Sequence, residues 1–264
     1  MGCYDNCKIT VSGEEFDLYV ASTRVTSRNS SDILGDGVFS FNGVDMLTIN
    51  GDYTLKTPVK LVENKGVDGL VINVAGNSTI SQDVNVETNV IDLSANTTIT
   101  GDGLLTINAN AIGISVKNGA VLTVANANVE VNGLYPITGN IGGNESLVII
   151  SSFVNISARG SAAVDDFNGG ISLIDCIIAS PEGGEVVDAT IEDGNGNYAR
   201  NLVIKPVLAG DVDGDGTIDV ADVTLLVSII LGNTPATDAA DVDGDTAIDV
   251  ADVTQVVAII LGTK

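Results

Sequence analysis

The chain has no histidine and no tryptophan, only five tyrosines and five phenylalanines, and eleven Lys and Arg against thirty-five Asp and Glu. Each shortage excludes something. Without histidine there can be no Ser-His-Asp or Cys-His arrangement, no His-ligated zinc and no imidazole general base, which leaves carboxylates and lysines as the acid–base groups. A formal charge of −24 removes the basic face that phosphates or an anionic membrane surface would require, so nucleic acid and acidic lipid are poor partners. There is no run of ~18–20 apolar residues and hence no expected transmembrane helix. The opening MGCYDNCKIT lacks the basic and apolar regions of a signal peptide, so the chain is either cytosolic or a processed or trimmed product.

Cysteine is scarce too. Cys3 and Cys7 are spaced so that a local disulfide or two ordinary thiols would serve equally, and the spacing is too sparse for a metal site. Cys176, in ISLIDCIIAS, is expected to pack as a small hydrophobe.

What is present is aliphatic. Apolar residues make up 44% of the 264 positions and charged ones 17%, a composition that can fill a core. Short β-branched runs punctuated by Gly and Asn point to many short strands with tight turns. Three stretches align: LTVANANVEV at 122–131, LVIISSFVNI at 147–156 and ISLIDCIIAS at 171–180, offset by 25 and then 24 residues. Apolar alternation, a polar corner at Asn126, Ser151 or Asp175, then renewed alternation is the pattern of one solenoid coil. Weaker echoes occur in MLTING (46–51), GLVINVAGNSTI (69–80), NVIDLSANTTITG (89–101) and LLTINANAIGISV (104–116). The expected fold is mainly β, a right-handed parallel β-helix, with a β-sandwich as the alternative. Residues 1–45 are expected to hold an N-terminal segment and a β cap, 46–200 the coils, 201–210 a linker with Pro206, and 211–264 a separate module. The stretch EEFDLYVASTRVTSRNSSDILGDG followed by GVFSFNGVDMLTING resembles the opening of secreted repeat proteins of anaerobic bacteria that carry β-helix domains.

The strongest motif lies at the end. DVDGDGTIDVADVTLLVSIILGN (211–233) recurs as DVDGDTAIDVADVTQVVAIILGT (241–263), with seventeen of twenty-three positions identical. Carboxylates stand at positions 1, 3, 5, 9 and 12 of each copy: Asp211, Asp213, Asp215, Asp219 and Asp222, then Asp241, Asp243, Asp245, Asp249 and Asp252. That is the oxygen-donor spacing of an EF-hand-like Ca²⁺ loop, in which a hard cation takes six to eight oxygens and position 7, here Thr217 or Ala247, offers its carbonyl. Two Ca²⁺ ions are therefore expected, one per loop. Position 6 differs: Gly216 suits a turn of positive φ, whereas β-branched Thr246 would be strained, so the second loop is expected to bind more weakly or with altered geometry. One helix should follow each loop and end near Gly232 or Gly262.

A duplicated loop-plus-one-helix unit over residues 206–264 resembles a type I dockerin. The resemblance implies calcium-dependent docking into a cohesin module, which anchors the passenger in a cellulosome-like assembly on or outside the cell, with any signal peptide already removed. The family's partner-reading positions fall on Val220, Ala221, Val250 and Ala251, where many members carry hydroxyl residues. The near-identity of the copies fits either a module that docks through both halves or a recent duplication. For the passenger, polysaccharide binding or assembly is the leading expectation. The alternatives are a polysaccharide lyase or glycoside hydrolase using the Asp165-Asp166 doublet with Lys117, Arg159 or Arg200, and a structural adhesin or spacer. Tyr53, Tyr135 and Tyr198 are the aromatic residues available to touch a sugar.

Overall fold

A computed structural model of the chain describes residues 13–83 and 88–263; Cys3 and Cys7 lie outside the described residues. Two compact units divide between Lys205 and Pro206.

The first unit is a β-solenoid of about five turns, not a sandwich. Each turn places one strand in each of three sheets, and strands of successive turns pair in parallel. One sheet holds Met46–Ile49, Leu70–Val74, Thr97–Thr100, Val121–Ala125, Ser146–Ile150 and Gly170–Ile174. A second holds Val62–Asn64, Asn89–Leu93, Ile112–Val116, Tyr135–Thr138 and Val164–Asp165. The third holds Tyr53–Leu55, Ser78–Gln82, Leu104–Asn108, Asn128–Gly133 and Phe153–Ala158.

Side chains alternate across a strand, so one row of each sheet faces inward and stacks on the same row of the next turn. Leu47, Ile72, Ile99, Val124 and Ile149 form one such ladder, and Val62, Ile91, Ile114, Ile137 and Val164 another; all ten are buried. Burying an aliphatic side chain is worth ~1.5–3 kcal/mol, but only when a neighbouring turn covers it, so the turns are stable together and not singly. The alignment read from the sequence is the register: Leu122 pairs with Leu147 and Leu147 with Ile171. The polar corner has a backbone reason, because Asn126, Ser151 and Asp175 all adopt positive φ, of 49°, 43° and 50°. Cys176 packs half-buried against the core, its thiol within hydrogen-bonding reach of the Ser152 carbonyl at 3.7 Å.

The start of the unit breaks the parallel pattern. Glu15–Val20 pairs antiparallel with both Thr23–Thr26 and Val62–Asn64, and Phe39–Phe41 pairs antiparallel with Met46–Ile49. At the other end the structure differs from the expected linker. Residues Asn201–Pro206 are a strand antiparallel to Phe153–Ala158, lying between it and Cys176–Ser180 in the third sheet. Leu202 and Ile204 alternate inward and are fully buried, which is why this segment pairs instead of connecting.

The second unit contains α1 (Val220–Ile230) and α2 (Val250–Ile260). Leu226 and Ile229 of α1 and Val256 of α2 meet Val212 and Ala240 in a small core, with Ile218 and Ile248 packed against it. Each helix starts with a capping box, Asp219 with Asp222 and Asp249 with Asp252. Each ends at a left-handed glycine, Gly232 (φ 74°) or Gly262 (φ 64°). Beyond it the amides of Asn233 and Thr263 donate to Ser228 and Ala258, completing a Schellman motif in both copies. Among the described residues no helix is long and apolar enough to cross a membrane.

Candidate metal centre

The two loops before α1 and α2 fold on their own aspartates. Asp211 Oδ2 accepts the Gly216 amide at 3.0 Å, and Asp241 Oδ2 accepts the Thr246 amide at 2.9 Å. Asp213 and Asp243 accept the amide two residues on, from Asp215 at 3.1 Å and Asp245 at 3.2 Å. Asp215 and Asp245 do the same for Thr217 and Ala247, both at 2.8 Å. These short side-chain-to-backbone bonds curl the chain so that alternate carboxylates point to one centre.

In the first loop the mutually close ligand atoms come from Asp211, Asp213 and Asp215, and in the second from Asp241, Asp243 and Asp252, within 4.8 Å of one another. Asp219 and Asp249 cap their helices, accepting the amides of Ala221 and Ala251 at 2.7 Å. Position 12 closes the loop onto its helix. Asp222 accepts the amides of Asp213 and Asp219, and Asp252 those of Val242, Asp243 and Asp249.

The electrostatics are those of a cation site. Asp211 is 6% exposed, and its Oδ1 is buried with no hydrogen-bond partner. An orphaned buried carboxylate oxygen is costly unless a cation satisfies it. The Asp215 amide lowers the pKa of Asp213, but desolvation and the charges of Asp215, Asp222 and Asp211 outweigh it and leave that carboxyl above its ordinary value. For Asp243 desolvation leads, joined by the charges of Asp245, Asp252 and Asp241, and the direction is again upward. Desolvation also acts on Asp252, which is fully buried, yet the amides of Asp249, Val242 and Asp243 hold its pKa below the usual carboxylate range. All-oxygen donors, like-charge repulsion and one orphaned oxygen fit a hard divalent cation.

Residues 209–261 match the family model described as the dockerin type I domain. The C-terminal unit is a type I dockerin. It binds Ca²⁺, and its two acidic clusters fit two calcium sites. Bound calcium supplies positive charge that relieves the repulsion among these carboxylates. The dockerin's partner is a cohesin, and its presence implies an extracellular, cellulosome-type assembly. No curated protein and no solved structure matches the chain.

The two loops of the dockerin are not equal. Gly216 has φ 94° and Thr246 φ 74°, so the β-branched residue sits in the left-handed region that the sequence predicted would strain it. Both Asp241 oxygens accept loop amides, from Gly244 and Thr246. The residues expected from the sequence to read the partner lie at the helix starts: Val220 and Val250 are each 69% exposed, and Ala221 and Ala251 are exposed beside them.

Of the candidate passenger residues, Lys117, Tyr135, Asp165 and Asp166 come together in one groove. Arg159 is elsewhere, its guanidinium donating to the carbonyls of Ala109 and Asn110, both at 2.9 Å. Arg200 lines a different hollow with Tyr198. Tyr53 stands edge-on to Phe39 with ring centroids 5.3 Å apart, covering the core. The groove was not visible in the sequence, because its members come from four turns and share no local motif.

Proposed function

We propose that this chain is a secreted or cell-surface component whose dockerin attaches it, through calcium-dependent cohesin binding, to a larger assembly where the β-solenoid presents a polysaccharide-binding surface. The observation that carries the docking part is a duplicated exposed stripe. Val220, Thr224, Val227 and Leu231 lie along one side of α1 and its cap, and Val250, Thr254, Val257 and Leu261 repeat it on α2. Residues at i, i+4, i+7 and i+11 share a helix face, and apolar side chains left in water on such a face suit a partner's surface. Calcium acts on this face indirectly, because each loop ends in the capping box from which the stripe begins.

The ligands assigned are Asp211, Asp213, Asp215, Asp219, Asp222 and the Thr217 carbonyl in the first loop, with Asp241, Asp243, Asp245, Asp249, Asp252 and the Ala247 carbonyl in the second. Pull-down of a cohesin-bearing partner tests the reading. Capture is expected with Ca²⁺ and lost with chelator; Val220→Lys with Val250→Lys should weaken it by roughly 30-fold or more, as for interface hot spots. If either half docks, each single variant should keep most of the affinity. Capture indifferent to chelator would sink the proposal.

A second reading, a polysaccharide-cleaving enzyme, is favoured by one observation: Lys117 shares a groove with the Asp165-Asp166 doublet. Prolonged incubation with pectic substrates decides it, and absence of products removes it.

A further inference from the structure

We infer that the outer face of the second sheet, around Ser115, Thr138, Asp165 and Tyr135, is a binding groove for an extended neutral oligosaccharide. The inference rests on the polysaccharide-binding reading and names its site and sugar class.

The groove has a volume of about 560 Å³ and runs across four successive turns, from Asn89 to Asp165. Its floor is a polar row set by register: Ser115 pairs with Thr138, and Thr138 with Asp165. One residue earlier in each strand, Ile114, Ile137 and Val164 point inward and are buried; on the other side Thr138 and Asp165 are half-buried, and Ser115, 3% exposed, lies at the bottom of the groove. A parallel row places Tyr135 beside Ile112 and Ile112 beside Asn89. Neighbouring strands lie ~4.8 Å apart, about the advance of one pyranose ring along an extended glycan. The solenoid thus offers the Thr138 hydroxyl and the Asp165 carboxylate to neighbouring sugar units. The Tyr135 ring, 42% exposed, supplies an apolar face for a ring to rest on.

Two buried carboxylates, one of them Asp92 in register beside Ser115, fix the shape of the groove. Asp92, 1% exposed, receives Lys117 Nζ at 2.8 Å, Lys60 Nζ at 2.6 Å and Asn89 Nδ2 at 3.1 Å. Lys117 and Asn89 are thereby held in the groove wall. Glu145, fully buried, accepts the amides of Gly119 at 3.0 Å and Asn140 at 3.3 Å, pinning the rim at Asn140. Held side chains lose little freedom when a ligand arrives.

Charge selects the ligand. Lys117 is already matched by Asp92, whereas Asp165 and Asp166 add negative charge. Asp166 adopts φ 63°, and its pKa is raised by desolvation and then by Asp165 and Glu145. A uronate would meet this repulsion; the hydroxyls of a neutral sugar can donate to both carboxylates.

The test is calorimetry of the full chain, with Ca²⁺ and without cohesin, against β-1,4-linked glucose, xylose and mannose hexasaccharides and against oligogalacturonate. Binding of at least one neutral hexasaccharide is expected, weakened about tenfold or more by Tyr135→Ala and by Asp165→Asn. The isosteric Thr138→Val, which should keep the fold, is expected to weaken it as well. Tyr198→Ala, outside the groove, should leave it unchanged. Three results overturn the groove: no neutral glycan bound, tighter binding of oligogalacturonate, or neutral binding that survives all three groove variants. The last would leave the polysaccharide reading standing and displace only its site. Cohesin capture by the same preparation reports separately on the dockerin.

Discussion

Asp211 and Thr246 carry the contrast between the two calcium loops. Asp211 holds a buried oxygen with no partner, so calcium has an unsatisfied group to meet; Asp241 already satisfies both its oxygens with loop amides. Left-handed backbone at a β-branched residue costs ~1–2 kcal/mol, and the second loop carries that strain at Thr246. Thr246→Gly is therefore expected to tighten second-loop binding about fivefold to tenfold in a calcium titration, and Gly216→Thr to weaken the first loop comparably. Asp211→Asn should reduce the tightly bound stoichiometry from two ions to one. The inequality was legible in the sequence, because position 6 names its own φ requirement. The orphaned oxygen was not, since burial of Asp211 depends on how the two copies pack.

At the scale of elements, the solenoid is a stack of ladders, and its register was readable where the turns are regular. The three aligned segments at 122, 147 and 171 pair as read. The final strand, Asn201–Pro206, reads as a linker in the sequence although Leu202 and Ile204 alternate, because its partner Phe153–Ala158 lies far back in the chain and antiparallel closure breaks the repeat. The Asp92 cluster was invisible for a related reason, because Lys60, Asp92 and Lys117 belong to three different turns. Ile149→Ala should remove ~2–5 kcal/mol from the solenoid, as buried large-to-small changes do, read as a lower denaturant midpoint. Desolvation pushes the Asp92 pKa up, but the ammonium groups of Lys117 and Lys60 outweigh it and hold it below the ordinary value. A depressed carboxylate stabilises the fold above its unfolded pKa of ~3.9, and that stability is lost as pH falls through the lower folded value. Asp92→Asn is expected to cost ~1–3 kcal/mol at neutral pH and to flatten the acid limb of the solenoid's melting profile below about pH 4.

The whole molecule divides its acidity between two purposes. Residues 1–210 hold twenty-four acidic and ten basic side chains, a net of −14 spread over the long unit. Residues 211–264 hold eleven Asp and one Lys, a net of −10, and every Asp but Asp238 falls within the two repeated loop motifs. Repulsion of that density opposes folding until cations arrive, so calcium binding and folding of the dockerin should be coupled. No such dependence is expected of the solenoid, whose net charge is spread over a longer surface. Because α1 and α2 are the α-helices among the described residues, helical circular dichroism reports on the dockerin alone. Chelation should reduce it and lower the melting of that unit while the β signal of the solenoid holds. Binding of the full chain to an immobilised cohesin, with Ca²⁺ and then with EDTA, tests the central claim most directly. Saturable binding that disappears with EDTA and returns when calcium is restored is the predicted result; equal binding in both, or none in either, would contradict it.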